Sequence, residues 1–353
     1  MARTRTDVPL APLTTLGLGG PARRLITAYD EEEVVAAVLG AKRDPVLVLG
    51  GGSNVVVADE GFDGVVVHVA SHGLSAGPDG DDVLLTAQAG EDWDGLVEHA
   101  VSEDLAGLEA MAGIPGRVGA SPVQNVGAYG TDVSHVVDRV RALDRTSRRV
   151  VELSAKQCAF GYRASRFKAD PGRWVVLAVT FRLAPGGAGA PVRYAELART
   201  LGIEIGDTAP VAEVRSAVLG LRRGKGMVVS PDDPDSRSAG SFFTNPVLGP
   251  FDLAAFADRV KERLGDVEVP GHPDGDGRTK LSAAWLIERA GFSKGHGPGP
   301  VGLSSKHVLA LVHRGGGTTR DLLAVAREVR DGVHEAFGVE LVPEPVLVGG
   351  AAL

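Results

Sequence analysis

Cysteine is nearly absent: Cys158 is the only one in 353 residues. A lone thiol can close no intrachain disulfide, and it excludes CxxC metal and redox motifs. Aromatic residues make up 5% of the chain, with 3 Trp and 3 Met. Positive charge is outweighed, because 37 Lys and Arg face 45 Asp and Glu for a formal net charge of −8. A general nucleic-acid coat carries a basic footprint that this chain lacks. No apolar run approaches the ~18 residues of a membrane span. The opening MARTRTDVPLAPLTT has no apolar stretch of the kind that secretory signals need. A cytoplasmic protein with no nucleic-acid partner and no membrane insertion is expected.

What is abundant is glycine. The 48 Gly and 21 Pro together form about a fifth of the chain, below the roughly 25–30% that marks low complexity. At about 150 residues per domain, the length predicts two or three domains. Three segments can be read. In 1–71, Asp30 caps an acidic first turn and the helix VVAAVLGAK, and the strands PVLVLG and GVVVHVA follow. In 72–225, a Gly/Asp-rich loop HGLSAGPDGDD precedes the strand VLLTAQAG, a helix from about 92 to 104 and strands near 136–153 and 174–183. In 226–353, a polar loop SPDDPDSRS precedes a helix from about 252 to 264, the Ser282-capped helix SAAWLIERAG, the strand HVLALVH and a helix from Thr319 to Phe337 ended by Gly338. Alternating helices and strands make this an α/β (α+β) chain.

Two glycine-rich stretches carry the chemistry. GGGSN (50–54) follows an apolar strand directly. Glycine tolerates close approach and positive φ, so successive N–H groups there can converge on an anion. It is neither GxGxxG nor a Walker A motif, and a plain tight turn is the competing reading. GIPGRVGASPVQNVGAYG (113–130) has no period of 2 or 3.6 and reads as an ordered loop able to lie flat on a planar ligand. Two such loops suit a dinucleotide whose pyrophosphate takes backbone donors. The histidines make no metal case. His68 and His72 leave a strand for a loop, and no acid or thiol stands at ligand spacing. Cys158 reads as a small packed residue.

TTLGLGGPA (14–22), LGGGSNVVVAD (49–59), GLEAMAGIPGRVGASPVQNVGAYG (107–130), FGYRASRFK (160–168), AGSFFTNP (239–246), KLSAAWLIERAGFSKG (280–295) and LVPEPVLVG (341–349) occur in that order. Together they resemble the UDP-N-acetylenolpyruvoylglucosamine reductase (MurB) family over nearly the whole chain. The resemblance implies a vanillyl-alcohol-oxidase-type two-part FAD-binding unit, built from 1–71 and 72–225, and a C-terminal α/β substrate-binding domain over 226–353. It implies a monomeric flavoprotein of peptidoglycan synthesis that takes hydride from NADPH through non-covalent FAD. Its other substrate would be UDP-N-acetylglucosamine-enolpyruvate.

By the same resemblance, Gly50, Gly51, Gly52, Ser53, Asn54, Gly113, Ile114, Pro115, Gly119, Ala120, Gln124 and Asn125 would contact FAD. Arg163, Ser241 and Glu344 would be catalytic. Reduction of an enol ether builds negative charge beside a carboxylate and then needs a proton on carbon. A permanent guanidinium suits the carboxylate, Glu344 would hydrogen-bond to it, and Ser241 would deliver the proton. Tyr162, Tyr194, Lys225, Asn245 and His307 would meet the nucleotide sugar, with Tyr194 on a loop that closes over it and Arg222 assisting near Lys225. Two other readings compete. One is an FAD-dependent alcohol oxidase of the same fold, which would need neither SFF nor the C-terminal glutamate. The other is a catalytically silent nucleotide-sugar-binding protein, against which the joint presence of Arg163, Ser241 and Glu344 speaks.

Overall fold

The structure is a computed structural model describing residues 2–353. The chain forms two compact units. The first comprises Met1–Val8, Ala22–Gly52 and Phe62–Gly224, and the second Pro9–Pro21, Ser53–Gly61 and Lys225–Leu353.

The first unit holds two large sheets and one short hairpin. One runs in the order Arg3–Pro9, Pro21–Ala28, Phe62–Val69 and Val46–Leu49, with the last two strands parallel and Val46 opposite Val65. Parallel strands covered on both faces read as unbroken apolar runs, which explains VLVL and GVVVHV. Helix Glu31–Gly40 begins where the Asp30 carboxylate accepts the Glu33 N–H at 2.8 Å, and it buries Val34, Ala37 and Val38. These side chains share a core with Val65, Val67 and Val69 and with Leu143, Val175 and Leu177 of the other sheet. That sheet is antiparallel, in the order Arg149–Ser154, Val137–Asp144, Trp174–Pro185, Asp82–Gln88 and Leu74–Asp79.

The last of these strands corrects the reading of HGLSAGPDGDD as loop. Leu74–Asp79 pairs with Asp82–Gln88 from Leu74↔Ala87 to Asp79↔Asp82, around a turn with Gly80 at φ +64°. It is the sheet's edge, exposed along most of its length, so its sequence has no apolar alternation to betray it. The 113–130 stretch likewise contains short elements, among them a 3-10 turn Val118–Ala120, a helical turn Ser121–Gln124 and the hairpin Gly127–Ala128/Thr131–Asp132.

In the second unit, the strands Ser238–Ser241, Ala310–His313 and Val301–Leu303 form one antiparallel sheet, and Val247–Leu248, Thr279–Leu281 and Gly271–Pro273 another. The strand expected over HVLALVH is confined to Ala310–His313. Its first residues form a turn in which the Ala310 N–H returns to the His307 carbonyl at 3.0 Å.

Helix Thr319–Phe337 is the unit's spine. Thr318 and Asp321 close a reciprocal capping box, and Gly338 at φ +70° ends the helix. Leu322, Ala326, Val329, Val333 and Phe337 recur at helical spacing and are buried. The Asp59 carboxylate accepts the Thr319 and Arg320 N–H groups at 2.7 and 3.0 Å. A carboxylate there satisfies free donors and meets the positive end of the helix dipole. Among the described residues, no helix is long and apolar enough to cross a membrane.

Phe337 is 1% exposed, with its ring 6.1 Å from that of Phe256 and 5.9 Å from that of Trp285. Phe337→Ala should destabilise this unit by about 3–5 kcal/mol, measured by urea denaturation followed through Trp285 fluorescence.

Candidate active site

The glycine loops of the first unit pack backbone against backbone. A Cβ added at Gly51 would stand 2.9 Å from Gly116 Cα, and one at Gly50 would stand 3.2 Å from Arg117 Cβ. At Gly119 it would stand 2.6 Å from Ala89 Cβ. At Gly51 and Gly119 only glycine permits this approach, which brings the loops together as a cradle of peptide groups beside the Arg117 and Ala89 side chains. Such a cradle, with donors and no competing carboxylate in GGGSN, fits the anionic pyrophosphate and flat rings of FAD. Gly50–Gly52 end the first unit's segment Ala22–Gly52, while Ser53 and Asn54 open the second unit's Ser53–Gly61.

Two carboxylates that the sequence did not single out brace this region, one at the start of the longer loop and one just before it. Asp94 accepts the Gly113 N–H at 2.6 Å and lies 3.5 Å from Arg215. Glu109, 1% exposed, accepts the N–H groups of Gly107 and Ala190 at 2.5 and 2.7 Å. Of the expected FAD contacts, Ile114 and Pro115 are half-buried and Ala120 is exposed. Gln124 and Asn125 are buried, and their side chains serve the protein itself. Gln124 accepts from Lys168 at 3.0 Å, and Asn125 donates to the Gly161 carbonyl at 3.0 Å while accepting the Ser134 N–H at 3.2 Å.

These contacts build the position of Arg163. It sits at φ +49° in a tight turn where Gly161 pairs with Ala164. Its guanidinium donates to the carbonyls of Asn125 and Gly127, each at 3.4 Å, and lies 5.9 Å from the Tyr162 ring centroid. Lys168 also donates to the Arg163 carbonyl at 3.0 Å. The FGYRASRFK motif is therefore one device: Lys168 ties the arginine turn to the glycine loop.

Tyr194 is 44% exposed, and its ring meets Tyr129 edge-to-face at 5.6 Å. Neighbouring Arg193 reaches His135 at 2.9 Å. Burial pushes the Tyr129 phenol up to about 12, opposed by the buried Arg222 cation.

In the second unit, three expected residues come together through the backbone. Ser241 ends its strand opposite Ala310. Phe242 and Phe243 follow, and Phe243 forms an antiparallel bridge with Pro343. The Glu344 N–H donates to the Phe242 carbonyl at 2.8 Å, so Glu344 runs beside the Ser241 strand. The Asn54 side chain reaches the Glu344 carbonyl at 3.5 Å, and the Val346 N–H donates to the Asn54 carbonyl at 3.0 Å. Ser241 and Glu344 are both half-buried.

Lys225 and His307 lie at the two sides of the 226–238 loop, both half-buried. Asn245 accepts the Ala283 N–H at 2.9 Å, at the start of helix Ala283–Arg289, which leaves its amide nitrogen to donate to a ligand. It also lines a cleft of about 530 Å³ with Arg259, Phe337 and Val342.

The Tyr129 environment gives a signed prediction. A phenol with a raised pKa stays neutral in the folded state while an unfolded one ionises near pH 10. Its contribution to stability is therefore complete below about pH 10 and is lost as pH rises towards 12. Ultraviolet pH titration of Tyr129→Phe should lack the phenolate step that Tyr129 gives near pH 12 in the wild type.

Residues 232–348 match the family model described as UDP-N-acetylenolpyruvoylglucosamine reductase, C-terminal domain. Residues 22–154 match that for an FAD binding domain. The UDP-N-acetylenolpyruvoylglucosamine reductase of Thermobifida fusca is 57% identical over 347 residues, covering 97% of each chain. That of Streptomyces coelicolor is 56% identical over 349 residues, covering 98% of this chain and 90% of the relative. The crystal structure of UDP-N-acetylenolpyruvylglucosamine reductase (MurB) from Thermus caldophilus superposes with a TM-score of 0.65 at 24% identity, covering 99% of both chains, and shares the fold. The identity over nearly the full length decides the matter: the chain belongs to the UDP-N-acetylenolpyruvoylglucosamine reductase family.

Proposed function

We propose that this chain reduces the enolpyruvyl ether of UDP-N-acetylglucosamine-enolpyruvate to the lactyl ether of UDP-N-acetylmuramate, a step of peptidoglycan synthesis. The observation that carries the reading is the backbone pairing that sets Glu344 beside the Ser241 strand, in a chain whose relatives bear the reductase name. FAD, when bound, would supply the hydride chemistry, with NADPH as the hydride source and the terminal CH₂ of the enolpyruvyl group as the acceptor.

The protein's own residues handle the charge and the proton. Gly50–Asn54 and the 113–120 loop would hold the cofactor through peptide N–H groups. Arg163 carries a guanidinium charge held in place by two loop carbonyls. It would neutralise the substrate carboxylate as charge builds on the adjacent carbon. Glu344 in its protonated form would donate to the same carboxylate, spreading that charge further. Ser241 would deliver a proton to the carbon, a transfer that the substrate's own carbanionic character drives. Tyr162, Tyr194, Lys225, Asn245 and His307 would hold the nucleotide sugar. The functional division is FAD binding by 1–71 and 72–225 and substrate binding by 226–353, in keeping with the family matches over 22–154 and 232–348. NADPH as donor, a monomeric state and a cytoplasmic location complete the reading. The single cysteine accords with a reducing compartment.

Purified protein should be yellow, should bleach with NADPH in the absence of oxygen, and should regain colour when the enolpyruvyl substrate follows. Protein that binds no FAD would sink the reading. In Ser241→Ala, bleaching by NADPH should stay near normal while recolouring by substrate slows roughly 10²–10⁴-fold. Equal slowing of both half-reactions would remove Ser241 from the proton-donor role.

A further inference from the structure

The loop between Lys225 and the Ser241 strand, 226–238, has no part in the function as described so far. Its centre is Asp235, a carboxylate only 5% exposed. One oxygen of that carboxylate, Oδ2, accepts three hydrogen bonds: from Ser304 Oγ at 3.0 Å, from the Ser305 N–H at 2.9 Å and from Ser305 Oγ at 2.6 Å. Ser304 is fully buried. Because its hydroxyl donates to Asp235, its lone pairs face the other way, where they accept the N–H groups of Lys306 and His307 at 3.0 and 3.2 Å. Lys306 returns to the same loop through an ion pair with Asp233 at 2.8 Å.

The other side of Asp235 packs on Gly226, the residue after Lys225. A Cβ added at Gly226 would stand 3.0 Å from Asp235 Cβ, and Gly226 is at φ +66°. Beyond Asp235 the chain runs within six residues into Ser241. One buried carboxylate thus meets the turn that carries His307 and the residue next to Lys225, on a loop that continues into the Ser241 strand.

A buried carboxylate is costly unless its lone pairs are filled, and charge-assisted bonds of this kind are shorter and stronger than neutral ones. The 304–307 turn joins two paired strands, closed by Ser304 N–H to the Ala310 carbonyl at 2.8 Å and Ala310 N–H to the His307 carbonyl at 3.0 Å, and the Asp235 bonds fasten its other side to the 226–238 loop. We propose that Asp235 is a positioning residue for the nucleotide-sugar site, acting through Ser304 and Ser305 on His307 and through Gly226 on Lys225. This rests on the function proposed above. Asp235 itself touches no substrate.

The test is a double-mutant cycle on the FAD-loaded protein. Binding of UDP-N-acetylglucosamine-enolpyruvate to the oxidised form is measured by calorimetry, without NADPH. Asp235→Ala should weaken binding about tenfold, the size of one charge-assisted bond, and raise KM far more than it lowers kcat. Asp235→Asn keeps one acceptor oxygen and should recover most of the affinity. In Asp235→Ala/His307→Ala the loss should fall clearly short of the product of the two single losses, since part of the Asp235 effect passes through His307 and only the part through Lys225 remains. Independent effects would multiply, and that result, or wild-type affinity in Asp235→Ala, would overturn the proposal. If Asp235→Ala does not fold, the same cycle run with Ser305→Ala decides by the same criterion. Wild-type protein that binds no enolpyruvyl substrate would overturn the proposed function itself, an outcome distinct from a failed cycle.

Discussion

Two backbone hydrogen bonds, from Thr244 N–H to the Val342 carbonyl and from Glu344 N–H to the Phe242 carbonyl, fasten the end of the chain to the strand that carries Ser241. The positions of Glu344, Asn54 and the last strand all depend on this pairing. Once Pro343 lies against Phe243, Val346–Val348 falls into parallel register with Val55–Val57. Each bond is worth only about 0.5–1.5 kcal/mol. The pairing persists because Phe242, Phe243 and Leu341 are buried on one core with helix Thr319–Phe337. Packing supplies the stability, and the hydrogen bonds supply the register that sets Glu344 beside the Ser241 strand.

Acidic side chains recur as fasteners. Asp59 receives the start of the long helix, Asp94 holds Gly113, Glu109 joins Gly107 to Ala190, and Asp235 holds the turn before His307. Each carboxylate accepts backbone N–H groups, which lets it set a loop's conformation as well as its position. The same reasoning accounts for other residues of the motifs. The aspartate that ends LGGGSNVVVAD and the lysine that ends FGYRASRFK are structural supports for their neighbours. His313 works in the same way on TTLGLGG, with its ring nitrogens meeting the Leu16 carbonyl and the Gly317 N–H at 3.0 and 3.1 Å.

The elements legible in the sequence are those whose signals are local. Helix Thr319–Phe337 shows its cap, its apolar spacing and its terminal glycine within twenty residues, and it was readable to both ends. The strands VLVL and GVVVHV were readable because burial on both faces leaves an unbroken apolar run. Leu74–Asp79 was not, because an exposed edge strand earns its conformation from a neighbour's hydrogen bonds and not from its own side chains. The strand over HVLALVH was read too long because a turn held by Asp235, some seventy residues away, interrupts it. Family membership also sets aside the alcohol-oxidase reading, which the glycine loops alone left open.

The sequence by itself determined the family, the FAD-binding character and which residue types are available for charge and proton handling, because these are properties of ordered motifs and of side-chain chemistry. Only the tertiary structure decided that Glu344 runs beside Ser241, that Asn125 and Lys168 serve Arg163, and that Asp235 holds the turn before His307. Apart from the local Lys168–Arg163 bond, these are contacts between residues 36 to 102 positions apart. No local pattern encodes such contacts, because they come into existence only when the core closes and forces distant backbone groups to find partners.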